Sequence, residues 1–359
     1  MIADKAALLN AVADVLSLPA DRLSFCPLSV ADSMSGAIEE GFDGSIFCLK
    51  TDSGKRYVAK RKCLSFIELV GESMNPFASP EFRAIYRKAY GVFYIRESHL
   101  REHYIYDGID PSLRPCLPLY YGSYKSPAEC VHVMEYLPIL RDKIDLKGAA
   151  DFLARLHAVY AGREKAARDL HANIPTPSDY TAARPLSAML YDNIQRLYPD
   201  FPQEILKDMR VFSDDAYAMA CGLNTWQRTL CQGDFCVKNM TFLPRGIRVY
   251  DWELATFNHP AFDLISFLVH YPVPIDDRLI EDWIGSYRNA ASTCERLEPL
   301  SDKCLAFNVR LYMATRFHAM MNICQSVDMP YMPLSIANWL KLYRTYQHIG
   351  IRASVFGVD

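Results

Sequence analysis

Two carboxylates and one carboxamide have the types and spacing to do chemistry together. Asp234 and Asn239 lie within Leu230-Cys231-Gln232-Gly233-Asp234-Phe235-Cys236-Val237-Lys238-Asn239, and the strand-like run Ile247-Arg248-Val249-Tyr250 leads into Asp251-Trp252-Glu253. This spacing predicts a tight hairpin with Asp234 and Asn239 on one arm and Asp251 at the end of the other. Phosphoryl transfer needs such a set: a group that positions the attacking hydroxyl, and oxygen ligands that hold Mg²⁺ against the phosphates. Asp234 is expected as the catalytic base, with Asn239 and Asp251 as magnesium ligands. An Asp-x-x-x-x-Asn alone is equally a loop that bonds its own backbone, so the reading depends on what accompanies it.

The accompanying parts occur in a useful order. Lys60 ends the strand-like Arg56-Tyr57-Val58-Ala59, where a lysine reaches α- and β-phosphates; otherwise it is a solvated edge lysine like Arg61 and Lys62. Glu102, on the helix expected next, is placed to pair with Lys60, with Glu97 as its competitor. Upstream, Gly41-Phe42-Asp43-Gly44-Ser45 enters the first strand of a hairpin. Glycines there let backbone N–H groups approach phosphate oxygens, although an ordinary hairpin turn has the same composition.

At these residues the chain resembles the aminoglycoside phosphotransferase and choline kinase-like family, small-molecule kinases of the protein-kinase-like fold. Gln232-Gly233-Asp234-x-x-x-x-Asn239 is similar to the family's His-Gly-Asp-x-x-x-x-Asn loop, and Tyr250-Asp251-Trp252-Glu253 to its Ile-Asp-Trp-Glu strand end. Asn258-His259-Pro260-Ala261-Phe262-Asp263-Leu264 resembles Gly-x-Pro-x-x-Asp-Leu, whose aspartate braces the catalytic loop. Leu153-Ala154-Arg155-Leu156-His157 resembles the family's Leu-Ala-x-Leu-His helix, in which the histidine is structural. Met134-Glu135-Tyr136-Leu137 looks like the hinge that holds adenine, which places Glu135 and Tyr136 at the nucleotide. The resemblance implies ATP and Mg²⁺ as cofactors and a hydroxylated small molecule as acceptor. It runs from about Gly41 to Leu268; the helices beyond it carry no matching motif. Gln232 departs from the usual histidine but can make similar hydrogen bonds. Asn258 stands where glycine is usual, and asparagine tolerates left-handed angles.

The elements that must position these residues follow from periodicity and punctuation. Residues 5–17 have helical spacing up to Leu18-Pro19, and two strands meet at Asp52-Ser53-Gly54 as a hairpin. Residues 64–94, broken by Pro76 and Pro80, read as an irregular or helical excursion before a helix over about 95–107. Strands are expected at 118–122 and 131–136, and helices at 149–160 and near 184–197, 203–220, 278–291, 303–325 and 335–347, with only 228–252 β-rich. The expected fold is α+β: a β-rich N-lobe over 1–137 with one helix, and a helical C-lobe over 138–359 with the catalytic loop and acceptor site.

Bulk properties narrow the function classes. At 359 residues with 50% hydrophobic and 23% charged residues, the chain has globular composition. A net charge of -3 argues against a nucleic-acid partner. No apolar run reaches the roughly 20 residues of a membrane span, and the first residues lack a secretory pattern, so a cytoplasmic protein is expected. Eleven scattered cysteines without a Cys-x-x-Cys pair read as reduced and buried, with zinc disfavoured at Cys231 and Cys236. Lys238 reads as a surface lysine, and the acidic run Asp276–Asp282 as the first turn of a helix. Tyr271, Tyr312, Phe317, Tyr331 and Trp339 either line an acceptor pocket or pack in the core. The alternatives to a small-molecule kinase are a weakly active, pseudokinase-like nucleotide binder, prompted by Gln232, and a protein kinase. The latter is disfavoured by the short Asp251–Asp263 interval, which has no Ala-Pro-Glu-like segment.

Overall fold

The computed structural model describes residues 5–26, 46–63, 70–75, 79–89, 95, 97–126, 129–138, 144–215, 224–323 and 329–349. Gly41, Gly44 and Ser45 lie outside them. Helix α1 (Lys5–Leu16) comes first, followed by β1 (Leu23–Cys26), β2 (Ile46–Thr51) and β3 (Arg56–Cys63). After α2 (Pro80–Lys88) and α3 (Ser98–Gly108), β4 (Tyr120–Lys125) and β5 (Glu129–Glu135) complete an antiparallel sheet ordered β1-β2-β3-β5-β4. Gly54, with φ +83°, makes the β2–β3 turn that Asp52-Ser53-Gly54 signals. The register sets Lys60 against Ile46 on one side and His132 on the other, in the middle of the sheet.

The apolar face of α1 packs on this sheet. Leu8, Ala11, Val12 and Ala13 join Leu23, Leu49, Ala59, Val131 and Val133 in one buried cluster, separate from the larger one that fills the rest of the molecule. Burial of such side chains contributes roughly 1.5–3 kcal/mol each.

The remainder is helical: α4 (Leu146–Tyr160), α5 (Glu164–Asp169), α6 (Pro177–Leu197), α7 (Gln203–Asp214), α8 (Ala261–Val269), α9 (Asp277–Ala291), α10 (Asp302–Tyr312), α11 (His318–Ile323) and α12 (Met332–Tyr346). Between α10 and α11 the chain widens into a π-helical turn, Met313–Phe317. The β-rich insert comprises β6 (Thr229–Cys231), β7 (Met240–Leu243), β8 (Gly246–Val249) and β9 (Thr256–Asn258). Every residue of α8 is buried, and Trp283 of α9 stacks on its Phe267 with ring centroids 4.1 Å apart. The acidic start of α9 is a cap: the Asp276 carboxylate accepts the Leu279 N–H at 2.8 Å.

Three sequence expectations need correction. The cysteines are not all reduced: Cys26 and Cys48 are register partners across β1 and β2, their Cα atoms 5.2 Å apart, and form a disulfide. Directly opposed strand residues bring Cβ atoms within bridging range, a proximity that requires β1, which was not foreseen. Arg61 and Lys62 are not solvated. Arg61 pairs with Glu129 at 2.9 Å and Lys62 with Glu253 at 2.7 Å, because both faces of β3 are covered. Asn258 has no positive φ; it is a buried residue of β9 whose Oδ1 accepts the His259 N–H at 2.8 Å.

Candidate active site

The loop after β6 is shaped by Gly233 and held by Asp263. Gly233 has φ +85°, and a Cβ there would collide with the Leu254 carbonyl oxygen, so only glycine allows the turn to pass this close. From α8, the buried Asp263 carboxylate accepts the N–H groups of Gln232 at 2.8 Å and Gly233 at 2.9 Å. His157 on α4 stands 3.4 Å from the same carboxylate, and its other ring nitrogen is 2.9 Å from the Tyr287 hydroxyl. Both residues are structural, as expected.

Gln232 ties the two arms together. Its Oε1 accepts the Asp234 N–H at 2.8 Å, while Nε2 donates to the carbonyls of Asp251 at 2.5 Å and Tyr250 at 3.2 Å. Asp251 is held at φ +64°, a left-handed conformation uncommon outside glycine and typical of functional positions. Asn239 closes the other side. Its Nδ2 donates to the Asp234 carbonyl at 2.9 Å and Oδ2 at 3.0 Å, which leaves its Oδ1 as the atom it can offer a cation. The Asn239 carbonyl accepts the Tyr250 N–H at 3.0 Å, one step before the Met240–Val249 pair, so Asn239 faces the residue preceding Asp251 at the open end of the β7–β8 hairpin.

Lys60 reaches this end from the sheet. Its ammonium lies 2.7 Å from Glu102, 2.5 Å from Asp251 and 3.4 Å from Glu253. Burial opposes its charge, but the three carboxylates outweigh that and hold Lys60 protonated well above the ordinary lysine range. Glu102 is fully buried and also accepts the Trp252 N–H through Oε1 at 3.0 Å, which fixes it to the segment it faces. Its competitor Glu97 sits at the start of α3 beside His171, 3.2 Å away, and is largely exposed. Burial, with Glu253 and Glu102 close by, pushes Asp251 up to about 6 despite Lys60. Glu253 goes the other way: burial is outweighed by Lys62 and Lys60, which hold it at about 2.

Glu102, Asp251 and Glu253 have carboxylate oxygens within 4.8 Å of one another, a hard-oxygen set that suits Mg²⁺. At the hinge, the Glu135 N–H donates to the Leu119 carbonyl at 2.9 Å and its Oε1 accepts the Leu119 N–H at 2.8 Å. Its amide is therefore committed. Tyr136 carries the Arg56 guanidinium 3.8 Å over its ring. Of the aromatic candidates, Phe317 and Trp339 are fully buried core, whereas Tyr271 and Tyr331 are partly exposed. The Lys238 ammonium rests 3.2 Å over the Tyr331 ring, so it is no simple surface lysine.

Three residues escaped sequence reasoning. Arg101, 1% exposed, donates to the carbonyls of His171 at 2.8 Å and of Glu253. Glu253 completes the carboxylate cluster. Arg316, from the π-helical turn, lies 2.8 Å from Asp234 Oδ1. No motif marks either arginine.

Residues 37–300 match the model of the phosphotransferase enzyme family. The chain belongs to that family. Solved structures with the same protein-kinase-like fold include a choline kinase from Cryptosporidium parvum Iowa II, with a TM-score of 0.52, 11% identity, and 99% of this chain and 100% of that one covered. A choline kinase from Streptococcus pneumoniae has a TM-score of 0.50 and 14% identity, covering 93% of this chain and 98% of that one. At these identities the likeness is one of fold. Human acyl-CoA dehydrogenase family member 11 is 31% identical over 117 residues, which is 30% of this chain. The match spans only 15% of that relative's length. Among the described residues of this phosphotransferase-family chain, no helix is long and apolar enough to cross a membrane.

Proposed function

We propose that this phosphotransferase is an ATP- and Mg²⁺-dependent kinase that transfers the γ-phosphoryl group to a hydroxyl of a small molecule. The observation that carries the reading is the convergence of Lys60, Asp251, Asn239 and Asp234, drawn from a central strand and both arms of one hairpin. The chain divides in this reading into lobes of 1–137 and 138–359, with the nucleotide between them.

Glu135 and Tyr136 mark the adenine end, with Glu135 contributing its carbonyl because its amide is spent on Leu119. Lys60, oriented by Glu102, and the segment bearing Gly41, Gly44 and Ser45 hold the triphosphate. Asp251 and the side-chain Oδ1 of Asn239 would hold Mg²⁺, which supplies neutralisation of phosphate charge when bound. Asp234 accepts the hydrogen bond of the acceptor hydroxyl and aims its oxygen at the phosphorus; it takes the proton as the bond forms. The hydrogen bonds of Gln232 support retained activity despite the missing histidine.

The test is consumption of Mg-ATP across a panel of hydroxylated metabolites and antibiotics, with phosphorylated product read by mass spectrometry. A phosphomonoester of at least one acceptor is expected. Stabilisation by Mg-ATP with no turnover on the panel or in water would favour the nucleotide-binding alternative.

A further inference from the structure

Asp234 is held from a direction that the nucleotide site does not explain. Its Oδ2 accepts from Asn239, and its Oδ1 lies 2.8 Å from the Arg316 guanidinium. The Asp234 side chain is 23% exposed and that of Arg316 8%, so the cation reaches the carboxylate from the protein interior. Four residues before Arg316, at the end of α10, the Tyr312 hydroxyl stands 2.8 Å from His270 Nε2, and His270 Nδ1 is 3.1 Å from the Ser335 hydroxyl on α12. Burial lowers His270 to about 4, so this chain runs through a neutral imidazole and delivers no second positive charge. Arg316 belongs to the π-helical turn Met313–Phe317, and such turns recur at functional sites.

We propose that Arg316 is a positioning residue acting through Asp234. With Oδ1 fixed by Arg316 and Oδ2 by Asn239, the carboxylate cannot rotate, and its remaining lone pairs face the acceptor hydroxyl in one orientation. The inference rests on the phosphotransfer reading. It goes beyond it by assigning to the π-helical turn the alignment of the acceptor-side aspartate.

A double-mutant cycle on Mg-ATP hydrolysis, with water as acceptor, tests it without a known substrate. Arg316→Met is expected to lower kcat by about 10²-fold, the scale of a small misalignment, with KM for Mg-ATP unchanged within about twofold. Arg316→Lys keeps the charge and is expected to recover about tenfold. Adding Arg316→Met to Asp234→Asn is expected to cost nothing further, because the residue acts only through that carboxylate. A loss in the double variant as large as in the single one would overturn the proposal, as would an Arg316→Met enzyme with normal kcat. If Arg316→Met does not fold, Arg316→Lys carries the same comparison in both backgrounds. An Asp234→Asn variant that hydrolyses ATP at the wild-type rate sinks the base assignment instead, a result distinct from failure of the Arg316 cycle.

Discussion

Asp251 and Asp234 flank the open end of one short hairpin, yet their neighbours differ. Asp251 faces the ammonium of Lys60, which a bound divalent cation would share or displace; Asp234 faces a guanidinium and a carboxamide, which orient it. Their removal should therefore separate two steps. Asp234→Ala is expected to lower phosphoryl transfer by about 10³-fold, within the range for losing a general base, while a non-hydrolysable ATP analogue still binds with Mg²⁺. Asp251→Ala should weaken that Mg-dependent binding as well, which titration calorimetry would show. Lys60→Met removes the ammonium 2.7 Å from the fully buried Glu102 and one of the two lysines that face Glu253. Uncompensated buried charge costs about 3–5 kcal/mol, so the urea midpoint should fall sharply even without nucleotide, and an unchanged midpoint would contradict this picture of the cluster.

At the scale of elements, the hairpin works because three structures meet at the turn before it: β6, the start of α8, and the Asp251–Leu254 segment. Gly233→Ala would force a Cβ into the Leu254 carbonyl from a left-handed backbone. A loss of roughly 2 kcal/mol or more is expected, measurable as a lower midpoint of urea unfolding, with hydrolysis reduced through displacement of Asp234. Much of this was legible in the chain itself. Asp234, Asn239 and Asp251 are close in sequence, so one hairpin brings them to one region; Lys60, expected at a strand end, lies inside β3, which runs on to Cys63, and still pairs with Glu102 of α3. Arg316, Arg101, Lys62 and the Cys26–Cys48 pair were not found. Each finds its partner through tertiary packing or strand register, across 82 residues for Arg316 and Asp234. The π-helical turn likewise has no periodic signature, since the run from Asp302 to Ile323 reads as one helix.

The whole molecule places several histidines where they must be neutral. Burial lowers His270 to about 4 and His259 and His318 to about 3; for His259, nearby His157 adds to the effect. A histidine with a depressed folded pKa takes up its proton more readily when unfolded. Its contribution is thus fully present above about 6.5 and is lost as pH falls toward 3–4. Each such group removes about 1.4 kcal/mol of stability per pH unit in that window, so the three together imply a loss near 4 kcal/mol at pH 5.5 relative to pH 7.5. Urea unfolding at the two pH values checks this, and His318→Gln should flatten the dependence by about a third.

Arg101 gives the molecule a mechanical character. By bonding the carbonyls of His171 and Glu253 from within α3, it fastens that helix to the segment that carries Asp251. A helix anchored in this way travels with the catalytic hairpin, so Glu102 is already in place before any ligand arrives. Swinging α3 outward would break both carbonyl bonds of Arg101 and the Glu102–Trp252 bond at once, so a swung-out helix would forfeit all three.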